Sequence, residues 1–203
     1  MIGGAGLGKR YKVTPNDVEV HSGNRDAWEY LQRLMNGESL RLLLLGECGV
    51  GKTHMVAATV NDIERKWPQG VYQYWTLPRF AAARRESIQG DREDPVGVCI
   101  RAHVVVFDDL GAEQDTEWGM AGLYDVLEER ARDMRPTVLI SNVAWEELLQ
   151  RYGDRTVNRL IGSDGRLVYV KGANYRVKQT KGELRTEKWT TALRDEEHGL
   201  GPA

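Results

Sequence analysis

The sequence predicts an α/β fold in three layers, a parallel sheet with helices on both faces, and three observations carry that prediction. Strand-like runs stand at Leu42 to Leu45, His103 to Phe107 and Thr137 to Ser141. Segments with helical spacing alternate with those runs. A glycine-rich loop joins the first run directly to a helix. At 203 residues the chain has room for one core of ordinary size with a short arm or tail, and not for two full domains.

Each element has its own signal. From Asn24 to Met35, Ala27, Tyr30, Leu31, Leu34 and Met35 fall at helical spacing, and Gly37 follows as a stop. Leu42 to Leu45 is too short for a helix, ends in glycine, and suits a strand buried on both faces. From His54 to Trp67 a helical face carries Val56, Val60, Ile63 and Trp67, and Pro68 and Gly70 end it. A strand is expected at Val71 to Trp75 and a helix at Leu77 to Ile88, followed by a surface loop, QGDREDPVG. After the run ending at Phe107, Trp118 to Arg132 is helical in pattern. Beyond the strand-like Thr137 to Ser141, Trp145 to Tyr152 and Thr156 to Ile161 read as short helices. Past Val170 the chain turns polar and basic. The expected division is an arm and amphipathic helix over 1–39, the main domain over 40–176, and a polar basic tail over 177–203.

The charge balance, 28 Lys and Arg against 30 Asp and Glu, gives no overall field toward nucleic acid or membrane, so any nucleic-acid contact must be local. Cys48, Cys99 and the four histidines show no zinc-ligand spacing. The cysteines read as reduced thiols of a cytosolic protein. The N-terminus, MIGGAGLGKR, has no apolar core of a signal peptide, and no stretch approaches the length of a membrane span. A soluble, cytoplasmic protein is expected.

Residues 46–53 read GECGVGKT, matching G-x-x-x-x-G-K-[ST] between a buried strand and a helix. Gly46, Gly49 and Gly51 let the backbone take positive φ and bring N–H groups toward phosphate oxygens, while the next helix points its positive end at them. Lys52 supplies a mobile point charge for β- and γ-phosphates, and the Thr53 hydroxyl is a hard oxygen ligand for Mg²⁺. Glu47, Cys48, Val50 and His54 complete the nucleotide-binding stretch. No NKxD guanine-reading motif is present, which favours ATP. The glycines of GGAGLG lack a preceding strand and read as an arm.

Hydrolysis also needs metal placement and an oriented water, commonly supplied from a neighbouring strand. VVVFDD at 104–109 fits that need: Asp108 beside the Mg²⁺ shell, Asp109 where it polarises the attacking water. The alternative is that both aspartates cap the next turn. Asn142, after ISN's strand, can reach γ-phosphate or water, though such an Asn is also an ordinary turn residue. Arg155 and Arg159, four apart in GDRTVNRL, are either surface arginines or a source of guanidinium for the transition state.

The order of VVVFDDLGAE, TEW, PTVLISN and RYGDRTVNRLIG resembles the AAA+ ATPases of the DnaC and IstB type, which are helicase loaders and transposition helpers. The likeness covers roughly Leu40 to Arg176, with fainter echoes in GLGKRY and GANYR. It implies that Asp108 and Asp109 are the Walker B acids, Asn142 the sensor-1 residue, and Arg159 an arginine finger reaching a neighbouring subunit's nucleotide, with Arg155 its helper or substitute. Many AAA+ proteins have Asp-Glu where this chain has Asp-Asp, as the DnaC and IstB branch often does. The resemblance also implies an oligomer, single-stranded DNA, and a hexameric replicative helicase as partners, in a bacterial cytoplasm. It places DNA on the segment after the second strand, here VYQYWTLPRFAAARR. Arg79, Phe80, Arg84 and Arg85 are the candidate contacts, while period-two alternation sends half the aromatics Tyr72, Tyr74, Trp75 and Phe80 into the core.

Loaders of this type carry an N-terminal domain that grips the helicase, so here the helix from Asn24 to Met35 or a separate protein is expected to take that role, or the chain is a compact loader of phage type. Three other functions stay open from sequence: an IstB-like helper acting on duplex DNA, a nucleotide kinase built on the same loop, and an ATP-binding adaptor that never hydrolyses.

Overall fold

The structure, a computed structural model, describes residues 12–38, 41–90, 93–112, 116–163 and 165–175, with 116–118 as backbone alone. The expected N-terminal arm with GLGKRY, the basic tail, Arg176 of GANYR and the side chains of TEW lie outside the described residues.

Five strands form one sheet: β1 (Arg41–Leu45), β2 (Tyr72–Thr76), β3 (Val104–Leu110), β4 (Thr137–Ser141) and β5 (Arg166–Tyr169). Their order is β2-β3-β4-β1-β5 and every pairing is parallel. All strands therefore end at one edge of the sheet, where a ligand site of an open α/β fold is expected. The helices are α1 (Arg25–Met35), α2 (Lys52–Lys66), α3 (Leu77–Gln89), α4 (Pro95–Arg101), α5 (Thr116–Arg132), α6 (Trp145–Tyr152) and α7 (Asp154–Ile161).

Alternation along the strands divides the core in two. Leu42, Leu44, Val104, Val106, Val138 and Ile140 meet α1 and α2 on one face, while Leu43, Leu45, Val105, Phe107 and Leu139 meet α3 to α7 on the other. This is the three-layer arrangement expected. Helix α1 buries Ala27, Trp28, Leu31, Leu34 and Met35 in the first half, so its apolar face is already used. Helices α3 and α5 approach closely because α5 presents Gly119 and Gly122: a Cβ on Gly119 would stand 2.8 Å from that of Ala81, and one on Gly122 would stand 2.0 Å from the Arg84 guanidinium.

Three elements depart from the sequence expectation. The loop QGDREDPVG contains the start of α4, where Asp94 caps the helix by accepting from the Val96 N–H at 3.0 Å and Pro95 opens the first turn. Strand β3 runs on through both aspartates to Leu110. Strand β5, with only Val168 buried, pairs with β1 at the sheet's edge.

Candidate nucleotide site

The order of the strands builds the site. Because β4 lies between β1 and β3, the residue after β4, Asn142, stands between the loop leaving β1 and the acids ending β3. In that loop Gly46, Gly49 and Gly51 have φ of +152°, +86° and +96°, conformations that L side chains rarely adopt. Neighbours crowd two of them as well. The Val170 carbonyl oxygen lies 2.2 Å from where a Gly46 Cβ would stand, and Asn174 Oδ1 lies 2.2 Å from the corresponding point on Gly49. The Tyr175 N–H donates to the Gly49 carbonyl at 3.0 Å, so the segment after β5 backs the loop.

Lys52 and Thr53 form the first turn of α2. Lys52 is 4% exposed, and its ammonium donates to the carbonyls of Gly46 at 2.6 Å and Glu47 at 2.8 Å and to Asn142 Oδ1 at 2.8 Å. Asn142 in turn donates from Nδ2 to Asp109 Oδ1 at 3.2 Å. Thr53 Oγ1 donates to Asp108 Oδ2 at 2.8 Å, and the Asp109 N–H donates to Asp108 Oδ1 at 2.7 Å. One hydrogen-bonded network thus contains Lys52, Thr53, Asp108, Asp109 and Asn142.

The backbone explains the short second acid. The β3–β4 register shifts between Phe107 and Leu110, and Asp109 has φ +58°, in the left-handed region. Among residues with side chains Asp and Asn enter that region most readily, so Asp-Asp fits this bulge better than Asp-Glu.

The remaining predicted residues are distributed as follows. Val50 is buried and anchors the loop, while Glu47 and Cys48 are exposed. The His54 ring turns from the loop, its Nε2 3.3 Å from the Asp17 carbonyl. Both cysteines are thiols, Cys48 exposed and Cys99 buried. Arg155 and Arg159 lie exposed on α7. Arg159 donates to Glu128 Oε1 at 2.6 Å and lies over the Tyr124 ring at 5.5 Å, and its carbonyl accepts from Arg41 at the start of β1, the end away from the loop. It does not join its own chain's network.

Two candidate DNA contacts are corrected. Phe80 is 0% exposed and stacks edge-on between Trp75 and Phe107, leaving no face for a base. Arg84 lies between α3 and α5 with its guanidinium toward Asp125 at 3.3 Å, its side chain 16% exposed. Arg79 and Arg85 are exposed. Trp75 and Tyr74 point to opposite faces of β2, and Tyr74 enters the site: its hydroxyl donates to Asp108 Oδ2 at 2.9 Å. In the sequence Tyr74 is only one of four aromatics that alternation divides between core and surface. The missing signal is register, since Thr76 pairs with Asp108 and Tyr74 sits two residues before it on the same face. A cleft of about 600 Å³ near Asn61, Asp62 and Lys66 lies at the far end of α2 and shares no residue with the site.

A phosphate loop on β1, acids on β3 and a polar residue on the strand between them define a P-loop nucleotide-binding protein of the AAA+ type. The model of the IstB-like ATP-binding protein family matches residues 33–183, and the chain belongs to that family. The replicative helicase loader DnaI of Bacillus subtilis is 31% identical over 118 residues, 57% of this chain and 37% of DnaI. A Mycobacterium tuberculosis insertion-sequence protein, Rv3427c, named for ATP binding, is 28% identical over 164 residues, 75% of this chain and 61% of that one. The crystal structure of the DnaC helicase loader superposes with a TM-score of 0.66 at 18% identity, over 80% of this chain and 99% of that chain, a likeness of fold. Among the described residues no helix is long and apolar enough to cross a membrane.

Proposed function

We propose that this chain binds ATP with Mg²⁺ on residues 46–53 and hydrolyses it at the boundary between copies of itself. That cycle acts as a switch which assembles on single-stranded DNA and loads or remodels a hexameric replicative helicase. The observation that carries the reading is the division of the chemistry: Lys52, Thr53, Tyr74, Asp108, Asp109 and Asn142 share one network, while Arg159 faces away from it on Glu128. A cation for the transition state then comes from a neighbouring copy. The likeness to DnaI supports the loader assignment.

Thr53 and Asp108 suit Mg²⁺ chemically, since the Thr53 hydroxyl donates its hydrogen bond to Asp108 and keeps oxygen lone pairs for a hard cation. Bound there, Mg²⁺ would neutralise charge on the β- and γ-phosphate oxygens. Lys52 adds its ammonium to the same phosphates. Asp109 accepts the proton of the attacking water, and Asn142 holds Lys52 and Asp109 in mutual register. On the surface, Arg79 and Arg85 are the proposed phosphate partners for DNA. With its apolar face buried, α1 keeps its polar face as a proposed contact for a helicase.

Asp109→Asn keeps a residue that tolerates φ +58°, so it removes charge and leaves the bulge. ATP turnover should fall by about 100-fold or more, within the usual contribution of a general base, with ATP affinity nearly unchanged. Retained turnover in a steady-state phosphate-release assay would count against hydrolysis by this acid. Arg159→Ala should remove turnover in the assembled state by about 1,000-fold, the lower end for an arginine finger, and spare ATP binding. Mixing it with a Lys52→Ala chain tests the placement, because complementation requires finger and loop on different copies.

The insertion-sequence relative favours a second reading, a helper ATPase that assembles on duplex DNA. Affinity capture from the host with ATP present separates the two. The replicative helicase is the expected partner, and a transposase in its place, with tighter binding to duplex than to single strands at the same salt concentration, would establish the second reading.

A further inference from the structure

We propose that Tyr74 is a positioning residue for the metal-binding end of the site, its hydroxyl setting the orientation of Asp108 and so the affinity of the nucleotide-bound protein for divalent cation. The inference rests on the reading of Thr53 and Asp108 as the Mg²⁺ residues.

The Asp108 carboxylate is held from three directions. Oδ2 accepts from Thr53 on α2 at 2.8 Å and from Tyr74 on β2 at 2.9 Å, and Oδ1 accepts from the Asp109 backbone at 2.7 Å. A carboxylate has about four lone-pair positions, so three are filled. Asp108 is 4% exposed, and bulk water has little access to replace a lost donor.

Torsion about Asp χ2 is broad and roughly two-fold, so the carboxylate plane depends on its donors. Thr53 is the donor whose oxygen would also face the metal, which leaves Tyr74 as the side-chain donor with no such second duty. Its ring packs against the face of the core built on Val104 and Val106, and the hydroxyl is carried on a rigid plane with few torsions. Packing alone does not require that hydroxyl, because phenylalanine has the same apolar ring. Tyr72 provides the internal comparison: it lies on the same strand, two residues away, and its hydroxyl donates to the Trp67 carbonyl at 2.7 Å, outside the site.

Outer partners of metal ligands contribute roughly 10- to 100-fold to metal affinity. In the full chain, binding of a fluorescent non-hydrolysable ATP analogue is followed as Mg²⁺ is titrated. Tyr74→Phe should raise the half-saturating Mg²⁺ concentration about tenfold. Its analogue affinity in EDTA should match that of the original chain even where the lost hydrogen bond lowers its melting temperature by a few degrees, and Tyr72→Phe should leave the Mg²⁺ curve in place. An unchanged Mg²⁺ curve for Tyr74→Phe overturns the inference, as does an equal loss of analogue affinity with and without Mg²⁺. If the original chain binds the analogue but ignores Mg²⁺, the assignment of Thr53 and Asp108 fails first, and a chain that binds no analogue refutes the nucleotide site itself.

Discussion

Lys52→Ala should weaken binding of ATP with Mg²⁺ by about 100-fold, equivalent to roughly 3 kcal/mol, the upper range for a hydrogen bond to a charged group. Lys52 is 4% exposed and its ammonium is already oriented by three acceptors, Gly46, Glu47 and Asn142, so it meets phosphate as a preorganised charge. Its loss also leaves the two loop carbonyls without that donor. ADP should lose less affinity than ATP, because the γ-phosphate is one of the groups the ammonium serves. Lys52→Arg should not rescue binding, since a planar guanidinium needs more room than the enclosed ammonium has. Equilibrium titration with each nucleotide checks the result, and affinity for ATP within threefold of the original would refute the role given to Lys52.

What was legible in the sequence was local. The phosphate loop carries its meaning in eight consecutive residues, and the buried strands announce themselves as continuous apolar runs. Asp108 and Asp109 needed only the strand before them. The parts that stayed hidden depend on contacts distant in sequence. Tyr74 reaches Asp108 through the β2–β3 register, which no pattern within either strand specifies. Phe80 and Arg84 looked like a DNA surface because a helical run of aromatics and arginines does not reveal which side faces α5. Strand β5 is short and half exposed, so its identity comes from pairing with β1. Helix α4 is different. Its cap and opening proline, Asp94 and Pro95, were readable, and the acidic composition before them masked the signal.

Arg130→Leu should destabilise the fold by at least about 3 kcal/mol, a large share of the roughly 5–15 kcal/mol that holds a domain together. Near the end of α5 an arginine reads as a solvated cation completing the helix's last turn, yet this one is 0% exposed. It donates to Thr137 Oγ1 at 2.9 Å and to the carbonyls of Cys99 at 2.8 Å, Ala102 at 2.6 Å, His103 at 3.2 Å and Pro136 at 2.5 Å. Those acceptors include the last turn of α4 and the starts of β3 and β4, so one guanidinium ties a helix end to two strand entries; the Cys99 and Pro136 carbonyls also accept from the Ala102 and Val105 N–H groups, at 3.3 and 3.4 Å. Burial pushes its pKa down to about 10, which still leaves it protonated at neutral pH, and burial likewise pushes the adjacent Cys99 thiol up to about 12. Leucine would fill the volume but remove all five charge-assisted hydrogen bonds, and a buried carbonyl left without a donor, as that of Ala102 would be, costs about 1–3 kcal/mol. Arg130→Lys keeps the charge but offers three donors in place of five, so it should recover less than half of the loss. With a urea m-value of about 1–3 kcal/mol/M, the leucine variant should unfold at least about 1 M earlier. The cage lies at the opposite ends of β3 and β4 from Asp108 and Asn142. Nucleotide affinity of the folded variant should therefore stay near that of the original, and a loss of binding without a loss of stability would show that Arg130 serves the site and not the scaffold.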